Sequence, residues 1–210
     1  GGVLGGDNGW WAVRFRMDWP NDDAPRWHMD PLLAHRVALP LLKRYRDEIF
    51  LWRFHRRAAR DGAGHQFSLI FYAARNTARR INADVLGNPL VEQARASGRL
   101  AEVVCDDPAA LPKPDIGDTS DPAWSPPLRD AWPHFLMGAS RTWLELIAVL
   151  AAGDEPEPAT FHETEQRYQR VNAAITAIWQ REGRHAFLHH LNALFGYEPV
   201  LIIDKRLMNF

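Results

Sequence analysis

The sequence predicts an α+β fold in which a four-stranded antiparallel sheet, with its elements in the order β-α-β-β-α-β over residues 10–105, is followed by a C-terminal helical layer. Three observations predict it. Trp11, Val13, Phe15 and Met17 alternate with Ala12, Arg14, Arg16 and Asp18, and Phe50, Trp52 and Phe54 alternate with Leu51, Arg53 and His55, the period of two that a strand imposes. Segments of helical period lie between these runs. One predicted sheet face is apolar while the other carries arginines and a histidine, so helices are expected on the first face, and the second must be covered by something else or face solvent.

The elements follow in order. Asp30-Pro31 opens a helix, with Asp as N-cap and Pro at the first helical position, and Leu32, Leu33, His35, Arg36, Leu39 and Leu42 follow, with Pro40 expected to kink or tighten it. A strand ends near Arg57, the turn Arg60-Asp61-Gly62-Ala63-Gly64 reverses the chain, and His65 to Tyr72 returns as its hairpin partner. Asn76 is expected to cap a helix reaching Ala96, interrupted at Gly87-Asn88-Pro89, and Leu100 to Cys105 forms the fourth strand. This is the ferredoxin-like order. Asp106 to Pro127 reads as a surface linker anchored by Ile116 and Trp124. Ser125-Pro126 opens an apolar helix to Ala152, bent at Pro133, and its stripe of Trp132, Phe135, Leu136, Trp143, Leu146 and Ile147 is expected to be buried. After Gly153 to Pro158, the capping box Thr160-Phe161-His162-Glu163 starts a helix to Glu182. Gly183 separates it from a last helix, Arg184 to Phe195, stopped by Gly196. The reading is one domain: a core over 10–105, a linker over 106–127, and helices over 128–210 packed on the sheet.

The chain has 210 residues, 46% of them hydrophobic and 24% charged, which suits a globular domain with a sizeable core and excludes disordered and fibrous classes. A formal net charge of −1 provides no global field for nucleic acid or an anionic membrane, so no nucleic-acid or membrane partner is expected and any anion recognition must be local. Nine tryptophans are read as core and interface packing. The single Cys105 allows no internal disulfide and no multi-cysteine metal cluster, which fits a reducing compartment. No run approaches about 18 apolar residues and no secretory signal opens the chain, so the expected location is cytoplasmic, with any segment before residue 1 left open because the chain does not begin with Met.

The polar sheet face concentrates the chemistry. Arg14, Arg16, Arg53, His55, Gln66 and Ser68 are expected there, and arginine forks in a seam beneath the C-terminal helices would hold a carboxylate or phosphate. The alternative is that these arginines pair with nearby Glu and Asp or face water. A second group is His185, His189 and His190, with His162 and Glu163 on the preceding helix; His185 and His189 stand at i, i+4, but no His-Glu-x-x-His motif or cysteine pair accompanies them, so no metal site is assigned and no cofactor is expected. Gly62 and Gly64 join two strands, which excludes a phosphate-binding loop.

Two stretches resemble a known family. Phe50-Leu51-Trp52-Arg53-Phe54, then Asp61-Gly62, then Gly64-His65 leading into an apolar strand, is similar to the hairpin of the lantibiotic dehydratase C-terminal domain, also called the thiopeptide-type bacteriocin biosynthesis domain. Leu188-His189-His190-Leu191-Asn192-Ala193-Leu194-Phe195-Gly196 is similar to that family's closing helix, and the helix from Asp30 to Arg46 matches its long first helix in position. The chain departs from the family at Phe67 and Leu69, where arginines are usual, and at Leu188 and Ala193. The resemblance implies a stand-alone peptide-tailoring enzyme, a lyase or cyclase acting by elimination or cyclisation on a modified peptide. Its expected catalytic residues are His65, His189 and Arg53, with Arg14, Arg16, His55 and Asn192 binding a peptide or small carboxylate substrate. The alternatives are a non-catalytic binding or assembly protein of the same fold, a homodimer through its tryptophan-rich surface, and a small His-based metalloprotein.

Overall fold

The computed structural model describes residues 7–110, 113–153 and 156–197. Four strands, β1 (Asn8–Met17), β2 (Ile49–Ala58), β3 (His65–Ala74) and β4 (Leu100–Cys105), form one antiparallel sheet in the order β2-β3-β1-β4. The chain is thus α+β with the expected ferredoxin-like sheet. Register fixes the faces: Arg14 lies opposite Ser68, which lies opposite His55, whereas Phe15 lies opposite Phe67, which lies opposite Arg56.

The apolar face is the core. Val13, Phe15, Phe67, Leu69 and Phe71 are buried on it beneath α3 (Arg75–Leu86), which contributes Ala78, Ile81 and Val85. The first helical segment comprises α1 (Met29–Leu33), a π turn over Ala34–Ala38 and α2 (Leu39–Arg44). The π turn ends just before Pro40, whose missing N–H leaves the ladder one donor short at that point. Two capping expectations are corrected. α1 starts before Asp30, whose carboxylate is fully buried and turned to the sheet instead of capping the helix. α3 begins at Arg75 with no side-chain cap, and the asparagine that caps a helix is Asn88, which accepts from the Leu90 and Val91 N–H groups of α4 (Pro89–Ala96).

In the β2–β3 turn, Asp61 accepts from the Ala63 and Gly64 amides and pairs with Arg57, and these donors hold its carboxyl down at about 2. Gly64 takes φ +62°, a left-handed conformation that side chains resist.

α5 (Pro126–Ala151) straddles the free edge of β2. Ser140 accepts a hydrogen bond from the Phe54 N–H, closing an edge donor, while Trp143 meets Phe54 and Phe67 on the apolar face and Met137 joins Trp10, Leu51 and Tyr72 on the other. Leu144 and Ile147 are buried, but Phe135 is 43% exposed, tilted against Trp132, which meets Trp124; the expected stripe is therefore only part core. The Thr160–Glu163 capping box forms as expected at the start of α6 (Phe161–Gly183).

Packing divides the chain into residues 1–172 and 173–210. The first unit contains the sheet, α1 to α5 and the opening half of α6, where Tyr168 is buried against His35 and Glu165 binds His28 and Arg99. The described part of the second unit contains the rest of α6, a π turn over Arg184–His189 and α7 (His190–Leu194). Within it Trp179 stacks on Phe187 at 5.8 Å, and its ring lies where a Cβ at Gly183 would go.

Candidate functional site

The polar sheet face is roofed by the chain that follows β4. Asp106 locks onto β1 through a mutual pair of bonds with Ala12, its N–H to the Ala12 carbonyl and its carboxylate from the Ala12 N–H, and further along Trp10 bridges Lys113. The Trp10 indole N–H donates to the Asp115 and Ile116 carbonyls, and the Tyr72 hydroxyl to Pro114. Ile116 drops onto Trp10, Leu51 and Tyr72, the anchoring role the sequence suggested for it. A short 3-10 turn, Ile116–Thr119, with a capping box between Asp115 and Asp118, completes the roof.

Between roof and sheet lies a pocket of about 590 Å³. Trp10, Ala12, Arg14, Arg53 and Ile70 line it from the strands, and Asp106, Lys113, Asp118 and Thr119 are among those lining it from the roof. Arg14 is neutralised by Asp106 at 2.5 Å. Arg53 differs. Among the described residues its one hydrogen bond runs from Nη2 to the Thr119 carbonyl at 3.3 Å, its buried Nε has no partner, and no carboxylate pairs with it. The Thr119 hydroxyl is likewise buried and has no partner among the described residues. Burial pushes the Arg53 guanidinium down from its ordinary value, a sign that its charge is poorly compensated.

His55 follows Arg53 by two residues on β2 and shares its face, exposed to solvent. Partial burial first, and the neighbouring Arg53 and Arg57 charges next, lower its pKa from 6.5 and favour the neutral imidazole. Arg16 also lies on this face, 3.4 Å from Glu102, outside the pocket lining.

The structure therefore brings Arg14, Arg16, Arg53 and His55 to one face, with the first and third in one pocket. It does not bring His65 to them. His65 shares the period of Phe67 and Leu69, so it projects from the opposite face, fully buried, with Nε2 3.0 Å from Asp30. His189 and Asn192 belong to the second unit. There the His185 and His189 rings stack at 5.2 Å, His190 stands perpendicular to both, and the His190 Nδ1–H donates to the His185 carbonyl at 2.9 Å. Among the described residues, no group of three or more His, Cys, Asp or Glu side chains is arranged to hold a metal ion. No described helix is long and apolar enough to cross a membrane. Asp106, Lys113 and Thr119 were not singled out from sequence; the one signal was Ile116, an apolar anchor within a Pro- and Asp-rich linker.

No protein-family model and no curated protein matches the chain. Among solved structures, the crystal structure of TsrL matches with a TM-score of 0.39 and 13% sequence identity, covering 88% of this chain and 55% of that one. The chain thus spans just over half the length of the TsrL chain. The resemblance to the thiopeptide-type domain rests on the short motifs quoted above.

Proposed function

We propose that this chain is a peptide-tailoring enzyme whose substrate presents a carboxylate to Arg53 in the polar-face pocket and gives up a proton to His55. The observation that supports it is Arg53 itself, a half-buried guanidinium on a pocket wall with most of its donors unused and no carboxylate partner among the described residues. A planar fork in that state suits a bidentate carboxylate. Asp106, Lys113 and Asp118 give the remaining wall both signs of charge, as a peptide with amine and carboxyl groups requires. The reaction class, elimination or cyclisation, comes from the family resemblance. In an elimination, His55 takes the proton from the carbon α to a carbonyl while the leaving group departs from the β carbon with the bonding pair, and Arg53 offsets the substrate's negative charge.

Calorimetric titration with glutamate and with a short peptide bearing a free carboxyl group tests the reading. Arg53→Lys keeps the charge but loses the fork, so affinity is expected to fall about tenfold, and more for Arg53→Ala. Equal affinity in the native protein and both variants would remove Arg53 from the site and the reading with it.

A further inference from the structure

Along the roof, polar side chains find partners close at hand. Asp115 and Asp118 close a capping box, the Ser120 hydroxyl donates to the Arg129 carbonyl at 2.7 Å, and the Tyr72 hydroxyl donates to Pro114 from the sheet below. The pairing fails where the roof meets Arg53. Of the residues lining the pocket, Arg53 and Thr119 each carry a buried polar atom, Nε and Oγ1, with no partner among the described residues. One atom belongs to β2 and the other to the roof, and the bond from Arg53 Nη2 to the Thr119 carbonyl at 3.3 Å holds the two residues side by side.

Thr119 is firmly seated. It ends the 3-10 turn Ile116–Thr119, whose buried Gly117 lies so near α5 that a Cβ there would meet Asp130 Oδ1 at 2.9 Å, and the next residue, Ser120, is tied to α5 through Arg129. A hydroxyl or guanidinium N–H that gives up water and gains no partner costs stability, and here two such groups adjoin. One acceptor-rich group between them satisfies both. A guanidinium only donates and a hydroxyl has one proton to give, so that group supplies lone pairs, and a cation without a carboxylate calls for negative charge. Among the described residues Arg14, Arg53 and Lys113 line the pocket against Asp106, Asp107 and Asp118, a balance that suits a monoanion better than a dianion.

We propose that Thr119 is a specificity-determining residue of the Arg53 pocket, its hydroxyl donating to one oxygen of a substrate carboxylate whose other oxygen accepts from Arg53 Nε. The assignment rests on Arg53 as the carboxylate's partner, the reading proposed above, and adds the group that orients it. Two donors on separate elements set the plane of the carboxylate, which a single guanidinium edge leaves free to turn. The same balance of charge disfavours phosphate.

Calorimetric titration of the full chain with glutamate, paired with urea unfolding, tests this in Thr119→Val and Thr119→Ser. Valine keeps the shape of threonine without the hydroxyl, so Thr119→Val is expected to weaken glutamate binding about tenfold while its urea midpoint stays level or rises. Thr119→Ser retains the hydroxyl and is expected to bind within about twofold of the native protein. Inorganic phosphate is expected to bind the native protein about tenfold more weakly than glutamate, or less. Native affinity in Thr119→Val, lost affinity in Thr119→Ser, a Thr119→Val protein that unfolds at lower urea, or phosphate binding as tight as glutamate overturns the assignment. Arg53→Lys keeps the two readings apart: weaker binding there with native affinity in Thr119→Val removes Thr119 alone, whereas a native protein that binds no glutamate removes both.

Discussion

Arg14, Arg16 and Arg53 share one sheet face and one chemistry, and their neighbours make them different. Asp106 neutralises Arg14, Glu102 lies beside Arg16, and among the described residues Arg53 meets only a carbonyl, so the same side chain is ion-paired at one position and without a carboxylate at another. His55 records that imbalance. With its pKa lowered in the fold, the neutral form is favoured there; the associated stability is present above the unfolded value near 6.5 and is lost as pH falls through the lower folded one. Titration of His55 by NMR is therefore expected to have its midpoint below 6.5, moving partway back in Arg53→Gln, because burial is the larger cause and Arg53 the next. Within the core, Phe67 is fully buried and touches Phe15, Phe54 and Trp143, so Phe67→Ala is expected to cost about 3–5 kcal/mol in denaturant unfolding. Trp143→Ala should cost less, since that ring is only partly buried. These residues show how far the period of two can be read. Arg14, Arg53 and His55 were placed on one face correctly, and the same rule, applied at His65, puts it with Phe67 and away from them.

Elements are decided at their edges and ends. At the β2 edge, Ser140 of α5 takes up the Phe54 N–H. Ser140→Ala leaves that amide without its partner and is expected to cost about 1–2 kcal/mol, read as a lower urea midpoint with an unchanged slope. The opening half of α6 depends on Glu165. Burial alone raises its pKa, but hydrogen bonds from Arg99 and His28 outweigh burial and leave it below 4.5. A carboxylate lowered in the fold stabilises above its unfolded value and loses that contribution as pH falls through the folded one, so thermal stability should decline below pH 4.5. Glu165→Gln is expected to flatten that decline. The Thr160–Glu163 box, the Gly64 turn and the Asn88-Pro89 break were visible in the sequence, because caps and turns are local chemistry. Asp30 was read as a cap for the same reason; its actual partners, His65 and Arg56, are 35 and 26 residues away in the chain.

Across the whole molecule, residues 1–172 hold the complete sheet, its helical cover and the Arg53 pocket. A chain ending at Asn172 is accordingly expected to unfold cooperatively and to bind the test carboxylates as the full chain does, measured by circular dichroism and calorimetry. By itself the sequence determined the strands, their β-α-β-β-α-β order and the polarity of each face, since these follow from side-chain periodicity and from local caps and turns. Only the tertiary structure decided that the Pro- and Asp-rich connection folds back as the roof of a pocket, that α5 takes the β2 edge, and that Asp106 claims Arg14 while Arg53 keeps an open fork. Those outcomes turn on which distant groups meet under burial, where an unpaired charge or amide is costly, and no local pattern encodes that meeting.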